Sequence, residues 1–220
     1  MKNARTKDFL RKTFPHLFLI SRGVRLLYSK KSWLYQVGYV DSYLKRIPIS
    51  QEGKYLPWMN YHVIDFLNER LNAGISLFEY GSGYSTVYWG SKVNKVTAVE
   101  HDYTWFKIVS EILPENVEII HIELNDTGNY VNAAVNSGKK YDFIVIDGRE
   151  RIACIKSAIN ALSEQGIILL DDSHKTKYQK GVEYLQNTGF KKLTFSGIKP
   201  GSMGSFSTSL FYRAQNCFDL

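Results

Sequence analysis

From about residue 60 onward the chain alternates short apolar runs with segments of helical periodicity. ISLFEY (75–80), VTAVE (96–100), VEIIHI (117–122), DFIVID (142–147) and IILLD (167–171) read as five strands. Such near-continuous, β-branched runs suit strands buried on both faces of a sheet. Helices are predicted over 60–71, 85–92, 103–113, 130–137, 152–162 and 179–187. In the first of these Val63, Ile64, Phe66, Leu67 and Leu71 share one face. Gly166 and Gly189 are placed to stop helices ahead of strands. Runs 190–196 and 208–213 predict a last, antiparallel pair of strands joined through 197–207. Strand–helix alternation of this kind predicts a doubly wound α/β domain with a mostly parallel sheet. No internal repeat or low-complexity tract interrupts it.

Charge divides the chain. Residues 1–54 carry 12 Lys/Arg against 3 Asp/Glu, and residues 55–220 carry 16 against 18. The net charge of +7 therefore resides in a basic N-terminal extension, while the domain from residue 55 is near neutral. Pro48, Gly53 and Pro57 punctuate the passage between them. The extension reads either as a solvated, partly helical arm or as a surface for an anionic membrane. The run 14–27 is broken by Arg22 and Arg25, so it predicts neither a signal peptide nor a span. The two cysteines, Cys154 and Cys217, form no C-x-x-C pair, which suits a reducing cytoplasm. Peripheral attachment at the inner membrane face is compatible with that setting.

The chemistry is concentrated in Phe78-Glu79-Tyr80-Gly81-Ser82-Gly83-Tyr84-Ser85-Thr86, at the end of the first strand and the start of a helix. Glycines there let a ligand approach the backbone, and a helix N-terminus offers free N–H groups. Glu79 at the strand tip repels a pyrophosphate but suits a ligand with cationic groups. Glu100, 19 residues after Gly81, stands at the second strand tip, where an acid accepts ribose hydroxyls in nucleoside-binding α/β folds. The bland readings are a tight turn for Gly81 and Gly83 and a solvated strand end for Glu100.

EYGSGYST followed by VTAVEHD, with YDFIVIDG and GIILLDDS further on, resembles the motifs of class I S-adenosylmethionine-dependent methyltransferases. The likeness spans about 56–213. PWMNY, VEHD, VIDGR and LLDDS resemble more narrowly a bacterial group associated with surface-glycan genes. The resemblance implies a Rossmann-like, seven-stranded sheet, mostly parallel with the last strand antiparallel. It implies that Glu79, Gly81, Ser82 and Gly83 line the amino-acid part of the cofactor, with Ser85 also in the cofactor site. Glu100 would hold the ribose, His101 would flank the adenine, and Asp147 would lie beside the sulfonium. Asp126, or its neighbours Glu123 or Asn125, would meet the adenine amino group. His101 reads equally as a surface residue, and Trp58, Met59 and Tyr61 read either as a lid or as simple packing.

Methyl transfer needs an oriented acceptor and a group to take its proton. Asp147, Asp171, Asp172 and His174 all follow strand ends and are candidates for that role. Asp147 with the Asp171–Asp172 pair also resembles the acids of cation-dependent O-methyltransferases, and three carboxylates suit Mg²⁺. Against this, Asp172 reads equally as the cap of the next helix. Arg149 and Arg151 read either as a site for an acidic acceptor or as surface charges pairing Glu150. The loop 199–205 reads as a flexible segment that closes on the acceptor or as a plain connector. The acceptor class these features favour is a hydroxyl of a small molecule or glycan precursor. A nicotinamide-dependent oxidoreductase is disfavoured by Thr86 in place of a third glycine. A non-catalytic, membrane-associated scaffold is disfavoured by the intact acids. A nucleic-acid substrate is disfavoured by the near-neutral domain and the lack of an N/D-P-P-Y/F tetrad.

Overall fold

The strands Ser76–Tyr80, Tyr141–Ile146 and Leu162–Leu170 of the structure, a computed structural model describing residues 9, 11–124 and 127–220, send alternate side chains to opposite faces of one sheet. Along the chain, helices α1 (Pro15–Tyr28), α2 (Trp33–Gln36), α3 (Tyr39–Lys45) and α4 (Tyr61–Arg70) lead into β1 (Ser76–Tyr80). There follow α5 (Tyr84–Gly90), β2 (Lys95–Glu100), α6 (Tyr103–Ser110), β3 (Val117–His121), α7 (Ala133–Asn136) and β4 (Tyr141–Ile146). Helix α8 (Arg151–Ala158), β5 (Leu162–Leu170), α9 (Gln179–Asn187), β6 (Lys191–Gly197) and β7 (Phe206–Tyr212) complete it.

The seven strands lie in the order β3-β2-β1-β4-β5-β7-β6. The five strands from β1 to β5 pair in parallel, and β7 runs antiparallel between β5 and β6. This is the expected doubly wound, Rossmann-like sheet. Leu77, Phe143, Val145, Ile167 and Leu169 point to one face, where Met59, Tyr61, Leu67 and Trp89 pack on them. Phe78, Tyr80, Ile144, Ile146, Ile168 and Leu170 point to the other, against Cys154, Ile155 and Leu185. The period-2 alternation between two apolar layers is why these strands read as unbroken hydrophobic runs.

The expectations around the fifth strand shift, and the helices expected over 103–113 and 130–137 shorten to Tyr103–Ser110 and Ala133–Asn136. Strand β5 starts at Leu162 rather than 167, because its first turn of sheet carries the polar Ser163, Glu164 and Gln165. Its pairing with β4 skips register between Tyr141 and Phe143. Gly166 therefore lies inside the strand instead of ending a helix; a Cβ there would meet Leu162 Cγ at 2.5 Å. The preceding helix ends at Ala158, followed by a 3₁₀ turn. Gly189, at φ +90°, does end a helix, as expected.

The far end of the sheet is tied by Asp142, whose carboxylate accepts from Ser76 N (3.0 Å), Ser76 Oγ (2.8 Å) and Ser163 Oγ (2.8 Å). The opposite ends, the C-terminal tips of β1, β2, β4 and β5, are left to converge on one crevice, as open α/β sheets require. Among the described residues no helix is long and apolar enough to cross a membrane.

Candidate active site

Gly81 leaves β1 at φ +91°, in the left-handed region. Its α-carbon comes so close to the β4 loop that a Cβ would lie 2.9 Å from Gly148 Cα. At Gly148 a Cβ would fall 2.1 Å from Tyr130 Oη and 2.8 Å from Gly81 N. The β1 and β4 loops thus touch backbone to backbone, and only glycines permit it. Above this contact opens a cleft of about 710 Å³, lined by Glu79, Gly81, Ser82, Ser85, Glu100, His101, Asp147 and Asp172 among others. That volume is ordinary for a small-molecule or cofactor site, roughly 300–1,000 Å³.

Glu79 is 1% exposed. Its Oε1 accepts from Ser85 Oγ (2.7 Å) and Trp89 Nε1 (2.8 Å), and its Oε2 from Thr86 Oγ1 (2.5 Å). Thr86 Oγ1 in turn accepts from Gly83 N at 2.9 Å. Burial nevertheless outweighs these donors and raises the Glu79 carboxyl from 4.5 to about 7. The position where a dinucleotide-binding turn would carry its third glycine thus holds a threonine with a structural task. Gly83 stands against Trp105 rather than in the cleft lining.

Glu100, 3% exposed, is folded onto the same turn. Ser82 donates to its Oε2 through both N and Oγ (3.0 Å each), and His101 N and Asp102 N donate to Oε1 (2.8 and 2.9 Å). His101 Nδ1 lies 2.7 Å from the same Oε1, outside hydrogen-bonding geometry, and its ring faces Tyr130 edge-on. Asp102 caps α6 through Trp105 N (2.9 Å). Trp105 Nε1 then donates to Ser82 O (2.8 Å), closing one wall of the cleft. Asp126 and Asn125 lie outside the described residues, and Glu123 is exposed and not part of the lining.

Asp147 follows β4 and keeps 28% of its side chain open to the cleft. Its Oδ1 accepts from Arg151 NH2 at 2.6 Å. Burial, then the nearby Asp171 charge, raise its pKa in spite of Arg151. Arg151 also donates to Gly148 O (3.0 Å), Asp147 O (2.8 Å) and Asp171 O (2.6 Å), and stacks over Tyr178. It is neither a free anion receptor nor a surface partner of Glu150: it staples the β4 and β5 tips together. Arg149 remains exposed at the cleft rim.

Asp171 and Asp172 are occupied by a cation of the chain itself. Lys199 Nζ, on a side chain 8% exposed, lies 2.7 Å from Asp171 Oδ2 and 3.1 Å from Asp172 Oδ1. Thr208 Oγ1 donates to Asp171 Oδ1 (2.6 Å), and Lys175 Nζ to Asp172 Oδ2 (2.5 Å). Burial alone would lower the lysine and raise the acid. The Asp171 carboxylate first, then Asp172, holds Lys199 above its ordinary value, and the Lys175 hydrogen bond together with the Lys199 charge holds Asp172 below its own. The expectation of Mg²⁺ is corrected by this arrangement. An ammonium fills the place between the β5-tip acids, and no group of three acidic, His or Cys side chains fit to hold a metal occurs among the described residues. The capping reading of Asp172 is corrected too. The residue sits at φ +56°, and α9 has no side-chain cap. His174 is exposed, accepts from Ser207 N at Nδ1 (3.2 Å) and lies outside the cleft lining, as does Asp171.

The loop after β6 is pinned. Besides Lys199, Trp58 Nε1 donates to Pro200 O (2.9 Å) and Tyr39 Oη to Ser202 O (3.1 Å). Met59 and Tyr61 are core residues. Sequence reasoning had no means to single out Lys199 or Trp105. Neither side chain is marked by a local motif: the carboxylates that Lys199 meets lie 28 and 27 positions away, and the acceptor of the Trp105 indole N–H lies 23 away.

No protein-family model and no curated protein matches the chain. Solved structures do. It is similar to a precorrin-6y C5,15-methyltransferase from Geobacter metallireducens (12% identity, 77% of this chain and 95% of that one, TM-score 0.54). It is also similar to a TehB-like SAM-dependent methyltransferase from Corynebacterium glutamicum (14%, 68% and 85%, TM-score 0.51). A spermidine synthase from Thermotoga maritima shares the architecture as well (15%, 71% and 57%, TM-score 0.51). At these identities the likeness is one of fold: the chain has the α/β fold of class I methyltransferases.

Proposed function

We propose that this protein is an S-adenosylmethionine-dependent methyltransferase acting on a hydroxyl of a small molecule or glycan precursor. The observation that carries the reading is the pair Glu79 and Glu100, buried at adjacent strand tips on either side of the Gly81 turn and opening on one cleft. The donor set fits the cofactor. Glu79 and Asp147 are carboxylates whose ionised form the protein leaves under-compensated, so a cationic ligand between them gains most. The Ser82 hydroxyl on Glu100 marks where ribose hydroxyls would donate instead. Ser85 orients Glu79, His101 and Trp105 would flank the nucleoside, and the Gly81–Gly148 contact keeps side chains out of its way.

Bound there, S-adenosylmethionine supplies an already activated methyl group. The protein's own task is to orient the acceptor, exclude water and take a proton. Asp147 is the best-placed base of the four candidates. It alone combines an opening to the cleft with a raised pKa, whereas Asp172 is bound by two lysines. Asp171 and His174 would act at most by positioning the β5 tip. Arg149 and Lys177 at the rim support an acceptor with an anionic group.

Isothermal titration with S-adenosylmethionine tests the reading. We expect saturable binding by the wild-type protein and at least about tenfold weaker binding by Glu100→Ala, since hydrogen bonds to a charged group carry about 1.5–3 kcal/mol. Silence from a folded protein, or an unaltered isotherm for the variant, would refute it.

A further inference from the structure

Helix α1 buries none of its residues. At helical spacing Leu17, Leu19, Ile20, Val24, Leu26 and Tyr28 share one wide face, each 52–65% exposed. Phe18, Ser21, Arg22 and Arg25 fill the narrow strip opposite, where the Arg22 guanidinium lies over the Phe18 ring. A face of this kind adds nothing to the fold and asks for a cover. Charge says which. The first 54 residues hold 12 basic side chains against 3 acidic ones, and Lys30 and Lys31 follow directly on the helix. A second copy would bring apolar surface but also the same positive charge. An anionic bilayer answers both features, with acyl chains for the leucines and headgroups for the arginines.

The neighbouring geometry fits. Between α1 and α2 runs a groove of about 720 Å³, lined by Leu19, Leu26 and Trp33 together with Arg22, Arg25 and Lys31. Tryptophan beside basic residues is the usual composition of the membrane–water boundary. Trp33 also meets Tyr61 edge-on at 5.2 Å, so the arm is joined to the first helix of the α/β domain rather than trailing from it. We propose that α1 is an interfacial anchor lying in the headgroup layer of an anionic bilayer, apolar face inward, which holds the domain at the membrane surface.

Co-sedimentation of the full chain with vesicles tests this, phosphatidylcholine containing phosphatidylglycerol being set against phosphatidylcholine alone. Binding is expected to require the anionic lipid and to weaken with salt. Arg22→Glu with Arg25→Glu should reduce it at least ~25-fold, at about fivefold per basic residue. Leu19→Ser, Ile20→Ser and Val24→Ser together should abolish it. Both variants should keep the wild-type unfolding midpoint, because the helix buries nothing. Failure to bind, equal binding to neutral vesicles, or retention by either variant would overturn the proposal. So would a wild-type dimer that the serine variant dissolves, which would identify a second copy as the cover.

Discussion

At the residue scale, Glu79 accepts three side-chain donors and is still held near neutrality by burial. Its folded pKa of about 7 exceeds the reference 4.5. Between those values the folded state binds more protons than the unfolded chain, so stability falls as pH rises through the window. The group's destabilisation is absent below about 4.5 and complete above about 7. Glu79→Gln should flatten the stability curve over that range, by on the order of a few kcal/mol, in urea unfolding at a series of pH values. An unchanged slope would show that another group carries it. Asp147 is predicted to work in the opposite sense, on activity: a base with a raised pKa must lose its proton, so methyl transfer should decline as pH falls through that raised value. Asp147→Asn should lower kcat at least about 100-fold, the lower bound for a positioned base. The positions of Glu79 and Glu100 were legible in the sequence because strand tip and glycine turn are local features. The environment that shifts Glu79 and Asp147 was not, because desolvation is a property of what packs around a group.

At the scale of elements, the tips of β4 and β5 and the loop after β6 are held by two cations. Arg151 joins the first two through backbone oxygens, and Lys199 joins the last to Asp171 and Asp172. Removing one partner of a buried pair leaves a bare charge. Lys199→Met should therefore cost about 3–5 kcal/mol in denaturant unfolding. Lys199→Met with Asp171→Asn should recover part of that loss, and a double variant no better than the single one would count against the pair. Strain collects here too: Glu150 and Asp172, both non-glycine, take φ +47° and +56° beside the cleft. In sequence, Asp-Asp after a strand offered a metal site or a helix cap. The metal reading could not be set aside without Lys199, which arrives from 27 residues downstream, nor the cap reading without the left-handed backbone of Asp172.

At the scale of the whole molecule, two apolar layers enclose one sheet, while α1 stands outside both. Deleting residues 1–28 should therefore leave the thermal midpoint of the remaining chain unchanged to within about 2 °C, a smaller shift than ~1 kcal/mol would produce. A larger drop would show that α1 supports the core. The order of strands and helices and the antiparallel last pair could be read from the chain alone. Periodicity and turn residues act over a few neighbours, and a parallel sheet buried on both faces writes itself as unbroken apolar runs. The start of β5 escaped that reading because polar residues occupy its exposed end. What only the tertiary structure decided was which charges meet. A carboxylate's partner, its loss of water and hence its readiness to hold a proton or a cation depend on groups brought together from distant segments, and no local pattern encodes them.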